Sequence, residues 1–185
     1  MKDSPFKMVL VLTIITTISA LILAFVYAGT KDQIAEAYRQ DFLKGLKVVL
    51  PGFENAPDTE FKEMKGYKVY IGKKGGEVFG YAVRAVSPKG YSGDIAVLVG
   101  VDTKGDILGI QILKHAETPG LGNKIEFKEW RDTFVGLDKS DNIAVKKDNG
   151  IIDEFSGATI SPRAVCEAVN TGLDILSRFT VGGEK

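Results

Sequence analysis

The sequence predicts an α+β domain, an antiparallel sheet flanked by helices, preceded by one N-terminal transmembrane helix. Three observations carry that expectation. Residues 8–28, MVLVLTIITTISALILAFVYA, contain no charged side chain. Four apolar segments between Tyr67 and His115 are separated by short glycine-bearing links. The last segment, from about Pro162 to Phe179, places Val165, Val169, Leu173 and Leu176 at helical spacing.

The uncharged run is 21 residues long, enough to span a bilayer as a helix. Its threonines and Ser19 are tolerable there, since a hydroxyl can bond back to the helix backbone. An uncleaved anchor is expected rather than a signal peptide, whose apolar core is shorter and ends in a small-residue cleavage site. Lys2 and Lys7 precede the run, opposed by Asp3, and Lys31 follows it. That bias favours an N-terminus inside and a domain outside the cytoplasm. The expected organisation is a cytoplasmic N-terminus over 1–7, a transmembrane helix over 8–28, a connecting helix over 29–52 and an extracytoplasmic domain over 53–185.

In the connecting helix, Thr30 and Gln33 have capping-box spacing, and Ile34, Tyr38, Phe42 and Leu46 recur every four residues. Pro51-Gly52 stops it. The polar stretch from Glu54 to Lys65 reads as a loop. Strands are expected at Tyr67–Gly72, Glu77–Val86, Asp94–Asp102 and Ile107–His115, each bounded by a turn signal. The links are short, so neighbours are antiparallel, because a parallel pair needs a long crossover. IEFKEWRDTFVG reads as a short helix with Trp130 in the core, and NIAVKK as a short strand.

Composition narrows the function. The 185 residues carry 24 basic and 24 acidic side chains, for a net charge of zero. Nucleic-acid binding needs a basic excess, so no nucleic-acid partner is expected. One cysteine, Cys166, excludes an internal disulfide or a cysteine-based metal cluster, and the single histidine excludes a multi-histidine site.

The stretch DEFSGATISPRAVCEAV, Asp153 to Val169, holds the corner Ser156-Gly157-Ala158-Thr159 just before the last helix. Ser161 followed by Pro162 reads as an N-cap with proline in the first turn. A helix N-terminus attracts anions, and Gly157 and Ala158 let backbone amides approach closely. The residues alone leave two readings open: a capped turn, or a phosphate held beside the Thr159 hydroxyl. HAETPGLGNKI, His115 to Ile125, exposes backbone amides around two glycines, with Leu121 able to pack on a flat ring; an ordinary Gly/Pro turn is the plain alternative. GYSGDIAVLVGVD, Gly90 to Asp102, carries Tyr91 on a turn. A hydrolase built from Ser156, His115 and Glu117 is disfavoured, because Ser156 lacks the nucleophile-elbow motif.

Taken in order, these three segments resemble the FMN-binding domain family. That family includes the G subunit of the Rnf electron-transport complex and the C subunit of the Na⁺-translocating NADH:quinone reductase. The resemblance implies FMN attached covalently to Thr159 through a phosphoester. It also implies that Ser156, Gly157, Ala158, His115, Glu117, Thr118, Gly120, Leu121, Gly122, Lys124, Tyr91 and Ser92 contribute to the cofactor site. Arg163 and Lys124 are candidate partners for the phosphate charge. A flavin transferase using FAD and Mg²⁺ would make the bond.

The short chain favours the Rnf type. The implied function is an electron carrier of an ion-translocating ferredoxin:NAD⁺ oxidoreductase, anchored in the inner (cytoplasmic) membrane beside the other membrane subunits of that complex. The alternatives are a carrier of the NADH:quinone reductase type, an anchored binding or sensory domain without covalent flavin, and an anchored hydrolase.

Overall fold

The structure, a computed structural model, describes residues 5–182; Lys2 and Asp3, which enter the orientation argument, lie outside them. The chain divides into two compact units, Met1–Gln40 and Asp41–Lys185.

One helix, α1 (Pro5–Val49), covers the apolar run and the segment after it. It is long and apolar enough to cross a membrane. Thr13 and Thr16 donate back to the carbonyls of Val9 and Leu12, each at 2.9 Å, so their hydroxyls are satisfied within the helix. Thr30 does the same to Val26. The expected capping box at Thr30 and Gln33 is therefore corrected: no helix starts there, and the Thr30 hydroxyl serves the helix interior.

The second unit is built on five antiparallel strands in the order β1-β2-β3-β4-β5. They are β1 (Phe61–Met64), β2 (Tyr67–Lys74), β3 (Glu77–Gly90), β4 (Gly93–Asp102) and β5 (Ile107–Lys114). The last four match the predicted strands. β1 lies inside the stretch expected as loop, where Phe61 pairs with Tyr70 and Met64 with Tyr67.

Alternation along the strands splits the side chains between two faces. Val83, Ala85, Val97, Val99 and Val101 pack under the C-terminal helix α3 (Ile160–Gly182) with its Val165, Val169, Leu173 and Leu176. Ala82 and Leu98 face the other way and meet Leu46, Val49 and Leu50 from the end of α1. β4 lies between both layers, which is why it is buried continuously from Ile95 to Val101. The end of α1 comes very close to β4. A Cβ on Gly100 would lie 2.1 Å from the Val49 carbonyl oxygen, so only glycine allows this approach.

The segment after β5 forms not one helix but a chain of short turns: a 3-10 turn over Gly122–Glu126, α2 (Lys128–Arg131) and a second 3-10 turn over Asp132–Phe134. Trp130 is core, as expected: it is 6% exposed and packs edge-on to Phe134. The expected strand NIAVKK is corrected to a single bridge between Val145 and Ile152 followed by a 3-10 turn over Lys146–Asp148. Asn149, at φ 62°, ends that turn in the left-handed region and stops any extended pairing.

Overpacking a well-filled contact typically costs about 1–3 kcal/mol. Gly100→Ala is expected to lower the denaturant midpoint of the full chain in detergent accordingly, while Gly29→Ala, with nothing within 4 Å of the added carbon, does not lower it. Burial pushes the Cys166 thiol up to about 12. Native protein near pH 8 should therefore resist iodoacetamide and be labelled once unfolded; labelling of the native form would contradict this burial.

Candidate functional site

The SGAT corner is a tight turn. The Ala158 amide donates to the Phe155 carbonyl at 2.9 Å, and Gly157, at φ 78°, takes the left-handed position of a type II turn. Trp130 braces the corner from below: its ring packs against Phe155, 5.4 Å between centroids, and its indole N–H donates to the Asp153 carbonyl at 2.7 Å.

Next comes the start of α3, and here the expected cap is corrected. The Arg163 amide donates to the Thr159 carbonyl at 3.2 Å, so Thr159 is the residue whose carbonyl opens the helix, which makes it the N-cap. Ser161 lies inside the first turn. An N-cap side chain normally accepts from the second or third helical amide. The third helical residue is Pro162, which has no amide hydrogen. Among the described residues, the Thr159 hydroxyl makes no hydrogen bond, and neither do the amides of Ile160 and Ser161. Unpaired amides and the helix dipole give this end its positive character.

Ser161 is 1% exposed, and its hydroxyl donates to Glu117 Oε2 at 2.5 Å. Glu117, 5% exposed, uses Oε1 to accept the Ser92 amide at 3.1 Å. One carboxylate thus ties the β3–β4 turn and the loop after β5 to the start of α3. The fit around it is close: a Cβ on Gly122 would lie 2.5 Å from the Ser161 hydroxyl and 2.6 Å from Glu117 Oε2. His115 supports this loop from behind. Its Nδ1 accepts the Glu117 amide at 3.0 Å, and its Nε2 lies 3.0 Å from Glu126 Oε1. Accepting at Nδ1 leaves the hydrogen on Nε2, aimed at Glu126. Asn123 closes the loop by accepting the Gly120 amide at 2.7 Å.

These three segments enclose a cavity of about 230 Å³. Tyr91 lines it from the β3–β4 turn, Glu117, Thr118, Leu121 and Gly122 from the loop, and Gly157, Ala158 and Thr159 from the corner. Ile160 and Ser161 also line it, and sequence reasoning missed both. Ser92 reaches the site through its amide alone. His115, Ser156, Gly120 and Lys124 do not line the cavity. Tyr91 (70% exposed), Leu121 (47%) and Ile160 (41%) give it an apolar rim.

Arg163, a candidate partner for a phosphate, is engaged elsewhere. Its guanidinium holds Asp148 through two bonds of 2.6 and 2.8 Å. Among the described residues no lysine or arginine lines the cavity, which leaves the helix end as its positive element. Among the described residues there is no group of His, Cys, Asp or Glu able to hold a metal ion, and every buried side-chain N and O atom has a hydrogen-bond partner.

A model of the FMN-binding domain matches residues 90–174, the span that contains all three walls. The chain is 38% identical over 186 residues to the G subunit of the ion-translocating oxidoreductase complex of Aliivibrio fischeri, covering 90% of this chain and 88% of that one. The corresponding G subunit of Cereibacter sphaeroides is 36% identical over 190 residues, covering 96% and 86%. Among solved structures, the C subunit of the Na⁺-translocating NADH-quinone reductase from Parabacteroides distasonis aligns with a TM-score of 0.52 at 23% identity, covering 62% of each chain. That likeness is one of fold.

The Arg163 guanidinium holds the Asp148 carboxyl below its ordinary range, and Asp148 raises Arg163 in turn. A carboxyl depressed in the folded state adds stability above its unfolded-state value and loses it as pH falls through the folded one. Asp148→Asn is therefore expected to flatten the loss of stability between neutral pH and about pH 3, read from urea midpoints. Arg163→Gln should flatten it equally and the double variant no further; additive effects would mean that the two groups act separately.

Proposed function

The chain belongs to the family of G subunits of ion-translocating oxidoreductase complexes, and from that membership we propose that it is a membrane-anchored electron-transfer subunit whose FMN is esterified to Thr159. The observation that carries this reading is the Thr159 hydroxyl: an N-cap hydroxyl on the cavity wall with no hydrogen-bond partner among the described residues. Such a group remains available as a nucleophile toward a phosphorus atom.

The residues present fit the cofactor. The unpaired amides of the first turn of α3 suit a phosphate. As a diester the linkage keeps one negative charge, and the helix end offsets it without a paired arginine. Tyr91, Leu121 and Ile160 offer apolar surface to an aromatic ring. At about 230 Å³ the cavity is smaller than the roughly 300–1,000 Å³ usual for an enclosing ligand site. A group seated there stands partly outside it, which suits a carrier that exchanges electrons by contact. Bound flavin supplies one- and two-electron redox chemistry; the chain's own residues hold and orient it.

In the same reading, a flavin transferase with FAD and Mg²⁺ matures the protein. The Rnf complex, with its other membrane subunits, couples electron flow between ferredoxin and NAD⁺ to ion movement. Residues 1–7 are cytoplasmic, 8–28 span the inner membrane, 29–52 connect, and 53–185 form a domain outside the cytoplasm. A tether keeps the cofactor from being lost there.

Co-production with a flavin transferase, followed by a denaturing gel, tests the central step. A fluorescent band is expected for the natural chain and none for Thr159→Ala. A band of equal strength in Thr159→Ala, or none in the natural chain while a control acceptor is labelled, overturns the assignment.

A further inference from the structure

We propose that Ser161, acting through Glu117, is the positioning residue that presents the Thr159 hydroxyl for esterification. The inference rests on the reading that Thr159 carries the flavin, and it concerns how the chain prepares that residue.

Thr159 stands between two pieces of backbone, the SGAT turn and the first turn of α3. Helix ends fray, and this one lacks the usual side-chain cap, because the Thr159 hydroxyl has no partner and Pro162 supplies no amide hydrogen. Something else must hold the first turn in place. Among the described residues, the side-chain bond from that turn into the protein interior is Ser161 to Glu117, at 2.5 Å and with both residues at least 95% buried. Ser161 is two residues from Thr159, so its hydroxyl sets the rotation of the turn that carries the acceptor.

The other end of this bond is itself held. Glu117 Oε1 is held by the Ser92 amide, the Glu117 amide is held by His115, and His115 Nε2 meets Glu126. A relay from Glu126 to Ser161 therefore fixes the helix start against the loop that forms the opposite cavity wall. Only glycine at 122 leaves space for this bond, since a Cβ there would lie 2.6 Å from Glu117 Oε2. A hydroxyl wanted only for local capping would not be turned inward onto a buried carboxylate 44 residues away in sequence.

The step served is a phosphoryl-group transfer. The Thr159 hydroxyl oxygen forms a bond to the FMN-side phosphorus of FAD. The phosphoanhydride P–O bond breaks, AMP leaves with the electron pair, and the hydroxyl proton passes to a base of the transferase or to water. Misplacing a reacting atom by about 1 Å can cost on the order of 100-fold in rate. Binding of the transferase over the rim does not depend on that placement.

The test uses the full-length protein in detergent as substrate for a flavin transferase with FAD and Mg²⁺, following in-gel fluorescence over time. Ser161→Ala is expected to lower the saturating rate at least about 10-fold, with the half-saturating protein concentration little changed and the wild-type circular dichroism retained. Glu117→Gln keeps the side-chain volume but puts a donor where Ser92 or Ser161 needs an acceptor. It should give the same loss, and the double variant should be no slower than either single one.

A wild-type saturating rate in Ser161→Ala, or a loss confined to the half-saturating concentration, overturns the proposal. If Ser161→Ala does not fold, Glu117→Gln decides by the same two criteria. Failure of the parent reading is distinct: there the unsubstituted protein takes up no flavin, or Thr159→Ala takes it up equally.

Discussion

The Glu117 carboxylate is the contact on which the site depends. Three stretches far apart in sequence meet at its two oxygens: the turn at Ser92, the loop that carries Glu117 and the start of α3 at Ser161. A buried carboxylate is costly unless its lone pairs are used, and here both oxygens accept a hydrogen bond. Burying this group without those bonds would be unfavourable, so its burial and the convergence of the three stretches go together. The rim of Tyr91, Leu121 and Ile160 follows from that convergence, and so does the position of Thr159.

The sheet provides the frame for this convergence. β4 is covered on both faces, by α3 on one and by the last turn of α1 on the other, and Gly100 lets the second layer come within touching distance of the backbone. The walls of the cavity leave this frame at one end. The β3–β4 turn and the loop after β5 are attached to rigid strands, and α3 packs along the same sheet. The site is therefore assembled from loops whose ends are fixed, which combines exposed backbone with a set position.

Most of the frame was legible in the sequence. Strands β2 to β5 show alternation or continuous apolar runs bounded by glycine turns, and α3 repeats at helical period; both are local signals. β1 was not legible, because FKEM has two charged residues in four and becomes a strand only by pairing with β2. The stretch around Val145 misled in the opposite sense. Its buried apolar residues look strand-like, yet Asn149 turns the chain before a ladder forms. The site was legible in part: the loop, the corner and Tyr91 line one cavity. The N-cap was misplaced because Ser161-Pro162 has the local form of a cap, while the group that claims the Ser161 hydroxyl lies 44 residues away. For the same reason Arg163 looked available for a phosphate, when Asp148 already holds it. Local pattern cannot report a competing long-range partner.

Every buried polar side chain among the described residues is satisfied from within the protein, and the corner is braced by Trp130. On the proposed reading, folding and cofactor loading are then separate events in time. On that reading, a folded protein without flavin is a stage in its life. If Thr159 is the attachment point proposed above, the proportion of molecules able to carry electrons is set by the supply of flavin and of the enzyme that attaches it, and electron flow can be adjusted after synthesis without making or destroying a single chain.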